Sequence, residues 1–117
     1  MSADYEGTSG PDSETGSYET MRGFAGADYL ASDFMLARIY GGSDDDTCVH
    51  IYAGEGFGAF LYGEDGNDGL YGGNANDKLY GGKGDDWVWG GLGKNVMWGG
   101  SGRDHFGFAG PPDDKLD

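Results

Sequence analysis

The chain has 117 residues, enough for one domain, and carries 26 glycines and 21 acidic residues against 7 basic ones, a formal charge of −14. So few cations exclude a nucleic-acid phosphate backbone as partner and disfavour an anionic membrane surface; no apolar run approaches a membrane span, and the single cysteine excludes an internal disulfide framework. Low hydrophobicity with high net charge favours disorder, yet 15% of the residues are aromatic, and the two facts are reconciled if a bound cation completes the fold.

Met1–Glu6 is polar, has no signal-peptide pattern and reads as a flexible tail. A degenerate series of nine-residue units follows over residues 7–62. Gly7–Thr15 (GTSGPDSET) has Asp12 but Glu14 where a hydrophobe belongs. Gly23–Ala31 (GFAGADYLA) has Asp28 and Leu30, and Ser32–Tyr40 keeps only Ile39. Gly41–Val49 (GGSDDDTCV) restores Asp46 and puts Cys48 at the apolar position, as a small buried hydrophobe or, alternatively, the link of a disulfide dimer. A four-residue insertion, His50–Ala53, precedes Gly54–Tyr62 (GEGFGAFLY), which has Leu61 in place but Ala59 instead of an aspartate.

From Gly63 the pattern is strict. The five units GEDGNDGLY, GGNANDKLY, GGKGDDWVW, GGLGKNVMW and GGSGRDHFG follow without a gap, on the template Gly-Gly-x-Gly-x-Asp-x-apolar-x. The apolar eighth positions are Leu70, Leu79, Val88, Met97 and Phe106. Each glycine-rich hexad predicts a turn and each x-apolar-x triplet a short strand whose central residue points inward. One unit cannot bury its hydrophobe alone, but stacked units can, each adding a strand to a parallel sheet. Phe106 would close the last coil and Phe108 cover its open end; Pro111-Pro112 should stop strand pairing, leaving residues 109–117 as a frayed tail.

These units resemble the RTX (repeats-in-toxin) family of haemolysin-type calcium-binding nonapeptides, closely over Gly63–Phe106 and loosely over Gly7–Tyr62. The resemblance implies an all-β, right-handed parallel β-roll of about six coils, with two nonapeptides per coil and hexads two units apart stacked on one edge. It implies several calcium ions, held by position-six carboxylates and by carbonyls of the glycine-rich turns, here Gly63, Gly66, Gly72, Gly81, Gly82, Gly84, Gly99, Gly100 and Gly102. Calcium chemistry agrees, since a hard cation takes about six to eight oxygen ligands and a side-chain-free backbone leaves its carbonyls unobstructed.

With two units per coil, Asp68, Asp86 and Asp104, 18 residues apart, share one edge. Asp46 joins them once the insertion is allowed for, and Asp28 and Asp12 continue the column. The opposite edge has Ala37, Ala59, Asp77 and Asn95, so calcium should concentrate on the first edge, and the Asp77/Asn95 site should be weaker because Asn95 brings no charge. Removing calcium should unfold the chain.

Position nine holds Tyr62, Tyr80 and Trp98 on one face and Tyr71 and Trp89 on the other. These outward columns are either ladders that stabilise neighbouring strands or a contact surface for another domain, a glycan or a second copy. Gly54–Ala59 matches a dinucleotide-binding pattern, but FLYGEDGNDG after it cannot supply the helix that mechanism needs. There is no HExxH zinc motif, and His50 and His105 lie far apart in the chain. No column of threonines suits ice. The reading is a calcium-binding module and not an enzyme, extracellular and exported without a signal peptide, in a structural or interaction role. The alternative is a free-standing protein that binds a polysaccharide or surface through its aromatic face.

Overall fold

A computed structural model describes residues 4–34, 36–51, 57–107 and 115–116. Its strands are β1 (Asp4–Glu6), β2 (Ser13–Gly16), β3 (Thr20–Arg22), β4 (Tyr29–Ser32), β5 (Arg38–Gly42), β6 (Thr47–His50), β7 (Phe57–Glu64), β8 (Gly69–Tyr71), β9 (Asn76–Tyr80), β10 (Trp87–Trp89), β11 (Val96–Trp98), β12 (His105–Gly107) and β13 (Lys115–Leu116). Odd-numbered strands form one sheet, β1 to β13 in order, and even-numbered strands form the other, β2 to β12. Every strand pair is parallel, and no helix occurs among the described residues. The chain is therefore a β-solenoid that crosses between its two sheets at every turn, as the nine-residue period requires.

The register follows the sequence spacing. Trp87 pairs with Gly69 and Val96 with Lys78, so one coil is two units. Across the insertion, Arg38 pairs with Phe60 and Thr47 with Gly69, absorbing four extra residues without breaking either sheet. In the first coil Asp4 pairs with Thr20 and Ser13 with Tyr29, a coil shortened by two residues.

The expected apolar positions form the core. Leu30, Ile39, Cys48, Leu61, Leu70, Leu79, Val88 and Met97 are all buried in one cluster, joined by Met21, which no repeat unit had marked. Phe106 packs half-buried at the C-terminal end of this cluster, and Tyr5 and Tyr18 pack at the N-terminal end. Glu14 does point into the hydrophobic register, and the Tyr18 hydroxyl donates to its Oε2 at 2.5 Å. Two terminal expectations differ from the structure. Asp4–Glu6 pair with β3, and Lys115–Leu116 pair with β11, because the edge of each sheet offers unpaired backbone groups to any following chain. Phe108 and Pro111-Pro112 lie outside the described residues.

The eroded turns keep the geometry of the regular ones. Gly82, Gly84, Gly100 and Gly102 occupy positions two and four with φ between 86° and 103°, the left-handed region. Where those positions hold other residues the backbone goes there all the same: Phe24 at 70°, Asp44 at 73° and Glu64 at 73°. A side chain in this region costs roughly 1–2 kcal/mol, partly offset by the extra chain entropy a glycine would lose on folding. Glu64→Gly is therefore expected to raise the stability of the folded protein by up to about 1 kcal/mol in denaturant unfolding. A lower midpoint would show that the turn is not strained there.

Candidate metal centre

The turns that lead from an odd to an even strand stack on one edge, and each ends in an aspartate: Asp12, Asp28, Asp46, Asp68, Asp86 and Asp104. Their carboxylates interlock from coil to coil. The backbone N–H of Asp12 donates to Asp28 Oδ1 at 2.7 Å, Asp28 to Asp46 at 2.9 Å, and Asp46 to Asp68 at 2.8 Å. Asp68 donates to Asp86 at 2.8 Å and Asp86 to Asp104 at 2.9 Å. The column expected from 18-, 22- and 16-residue spacings is thus continuous, including its eroded members.

Only one oxygen of each carboxylate is used in this way. Oδ2 of Asp28, Asp46, Asp68 and Asp86 is buried and has no hydrogen-bond partner. It lies against the first glycine of its own turn, on the side where a side chain would project. A methyl carbon built on Gly81 would sit 2.5 Å from Asp86 Oδ2 and 2.7 Å from the Gly99 carbonyl oxygen; on Gly63 it would sit 2.5 Å from Asp68 Oδ2 and 2.8 Å from the Gly81 carbonyl oxygen. Gly99 is crowded in the same way by Asp104 Oδ2. A carboxylate oxygen and a main-chain carbonyl thus converge at each step, and only glycine leaves them room. At positions two and four the carbonyls of Gly66, Gly82 and Gly84 lie against Gly84, Gly100 and Gly102 of the next coil, so a side chain there would collide with them.

An unpaired buried carboxylate oxygen is expensive. Burial pushes Asp46 up to about 7, Asp68 up to about 8 and Asp86 up to about 6, and raises Asp28 too; each backbone N–H lowers the value and neighbouring aspartates raise it further. What is missing is a positive group facing Oδ2. Among the described residues no three acidic, histidine or cysteine side chains converge on a metal-sized point, so a cation here would be held by one or two carboxylates and main-chain oxygens. All of those are hard oxygen donors, the set that calcium takes.

The opposite edge is built differently. Asp77 Oδ1 accepts the Ala59 N–H at 2.7 Å and lies 3.0 Å from His50 Nδ1, while His50 Nε2 lies 3.1 Å from the Phe34 carbonyl. Asp77 Oδ2 remains unpartnered, and burial raises Asp77 despite the histidine. Asn95 Oδ1 accepts the Asp77 N–H at 2.8 Å. His50 is not loop: it stays in register with Ser32 at the end of β6, fully buried, and the insertion begins after it. Its partner sits 27 residues away, in a different turn, so no repeat position marks the pair.

The position-nine aromatics of the odd sheet form a stack of four rings, with Tyr40 added to the three expected. Centroids are 4.8, 4.8 and 4.3 Å apart from Tyr40 through Tyr62 and Tyr80 to Trp98, with planes within 5°. Arg22 lies over the Tyr40 ring, and Arg38 and Lys78 over Phe60. On the even sheet Tyr71 and Trp89 are about two-fifths exposed and Trp87 is stacked on His105 at 4.4 Å. In the four-ring stack each inner ring face is covered by its neighbour, so sugar rings have edges to meet there and few faces; this geometry suits strand stabilisation.

Residues 60–79 and 71–106 match the family model of the RTX calcium-binding nonapeptide repeat, in four copies. This stretch belongs to the RTX repeat family. Comparison with curated proteins and with solved structures returned no match. The RTX match covers the regular units; the aspartate column extends the same turn geometry back to Asp12, beyond the matched residues.

The raised aspartates set a pH dependence for protein stripped of metal. An aspartate whose folded pKa lies above its unfolded value of about 3.9 holds a proton that the unfolded chain releases. Its contribution is full below that value and is lost as pH climbs through the folded pKa, so metal-free stability should fall between about pH 4 and pH 8. In excess chelator the folded fraction, read by circular dichroism, should therefore be lower at pH 8 than at pH 5; a folded fraction that rises over this range would contradict the burial of these groups.

Proposed function

We propose that the aspartate edge is a column of calcium sites, and that calcium binding completes the fold of a structural RTX module. The carrying observation is the buried, unpartnered Oδ2 of Asp28, Asp46, Asp68 and Asp86, each set against a glycine carbonyl of the next coil. Asp12 and Asp104 extend the column at its two ends. The main-chain ligands are the turn carbonyls around Gly63, Gly66, Gly81, Gly82, Gly84, Gly99, Gly100 and Gly102. On the opposite edge Asp77, with Gly72 beside it, is the carboxylate where an ion still fits, at a site weakened by its histidine partner.

An ion at each step would supply the positive charge that the stacked carboxylates lack, so that binding energy becomes folding energy. Weak sites of this kind fill at the roughly millimolar calcium found outside cells and stay empty at cytosolic levels. The module would then fold after export, in keeping with the secreted proteins in which such repeats occur, and serve as a stabilising or docking element of an extracellular protein. The match to RTX repeats supports this role over catalysis.

Calorimetric titration tests the site. Asp68→Asn and Asp86→Asn are each expected to bind at least one calcium ion fewer than the wild-type protein, whereas Asp33→Asn, an exposed carboxylate on the other edge, keeps the full number. Unchanged ion counts in the first two variants would remove them from the site.

A further inference from the structure

The Gly90–Asn95 turn has the backbone of a calcium turn but not its electrostatics. Asn95 occupies position six, is buried, and orients its amide unambiguously, because Oδ1 accepts the Asp77 N–H at 2.8 Å just as Asp86 Oδ1 accepts Asp68. That leaves the NH2 group where the aspartates put Oδ2. A methyl carbon built on Gly90 would lie 2.8 Å from Asn95 Nδ2, the counterpart of the Gly81–Asp86 Oδ2 approach. From there Nδ2 faces three carbonyl oxygens of its own turn: Leu92 at 3.1 Å, and Gly91 and Gly93 at 3.5 Å each.

We propose that Asn95 is a covalent replacement for a bound calcium ion, so that its turn closes without metal. The inference rests on the calcium reading above. The carbonyls of positions two to four point at one spot, and in this turn that spot is filled by a positively polarised N–H group. In the turns of Asp28, Asp46, Asp68 and Asp86 the same place is taken by an unpartnered oxygen, which a bound calcium ion would reconcile with the carbonyls. The sequence reading of Asn95 as a weak ligand is thereby reversed: the side chain competes with the ion instead of holding it.

Other residues of this edge point the same way. Ser32 stands in register with His50, and its hydroxyl bonds the Tyr18 N–H, the Tyr18 carbonyl and the Phe34 N–H. His50 sets Nδ1 against Asp77 Oδ1 and Nε2 against the Phe34 carbonyl, so a ring N–H is presented to the oxygens of this edge. In these coils position six is Ala37 or Ala59, without a carboxylate. Side-chain donors thus do along this edge what calcium does along the other, giving one metal-dependent and one largely metal-independent spine.

Calcium counting by calorimetry on two variants of the full chain tests the proposal. Asn95→Asp should bind one ion more than the wild-type protein and should need calcium to keep the protein folded to a greater degree. Asn95→Ala should bind the same number as the wild type. An unchanged count in Asn95→Asp, a lost ion in Asn95→Ala, or an Asn95→Asp protein that stays unfolded in saturating calcium would each overturn the proposal. A wild-type protein that binds calcium while Asn95→Asp gains none sinks this inference alone; a wild-type protein that binds none sinks the calcium reading itself.

Discussion

The structure depends on one electrostatic constraint: a column of aspartates stacked coil upon coil, in which Asp28, Asp46, Asp68 and Asp86 each have one oxygen tied to backbone and the other buried without a partner. The first half of that arrangement is cooperative. From Asp28 to Asp104 every Oδ1 accepts the N–H of the preceding aspartate, so the column fixes the register of neighbouring turns. The second half is unfavourable by itself, since several buried carboxylates repel each other and the turn carbonyls. Glycine at position one makes the approach possible, and the approach leaves a place that the proposed calcium ion would fill.

The core alone does not remove that need. Most strands contribute one large apolar side chain inward, so the apolar interior is one narrow file, with residues such as Leu61, Leu79 and Met97 from the odd sheet set beside Leu30, Leu70 and Val88 from the even sheet. The aromatic stack from Tyr40 to Trp98 adds a second file outside the odd sheet, and Arg22, Arg38 and Lys78 cover ring faces at and beside it. Both files run along the solenoid axis and hold coil to coil. Neither neutralises the aspartate edge, which lies in the turns.

The period of nine made the strands, the core file and the aspartate column legible in the sequence. Even the 22-residue step between Asp46 and Asp68 and the 16-residue step between Asp12 and Asp28 could be read, because the glycine and aspartate of each turn survive on either side. What escaped were residues whose partners are set by three-dimensional stacking. Met21 follows a stretch without the glycine pattern, Ser32 and His50 replace glycine at the start of a turn, and Tyr18 meets the Ser32 hydroxyl of the next coil through its backbone. Asn95 was visible as a departure from aspartate, but its consequence depends on which way the amide points, and only the Asp77 N–H decides that. A motif shows where a ligand is absent; it does not show what has taken its place.

The central claim is that a cation from solution completes the aspartate edge and with it the fold. Far-ultraviolet circular dichroism at about pH 8, recorded in excess chelator and again after calcium is raised to roughly millimolar levels, addresses it most directly. The account predicts that strong β-sheet signal appears only with calcium. The same β-sheet signal in chelator, unchanged when calcium is added, would contradict it.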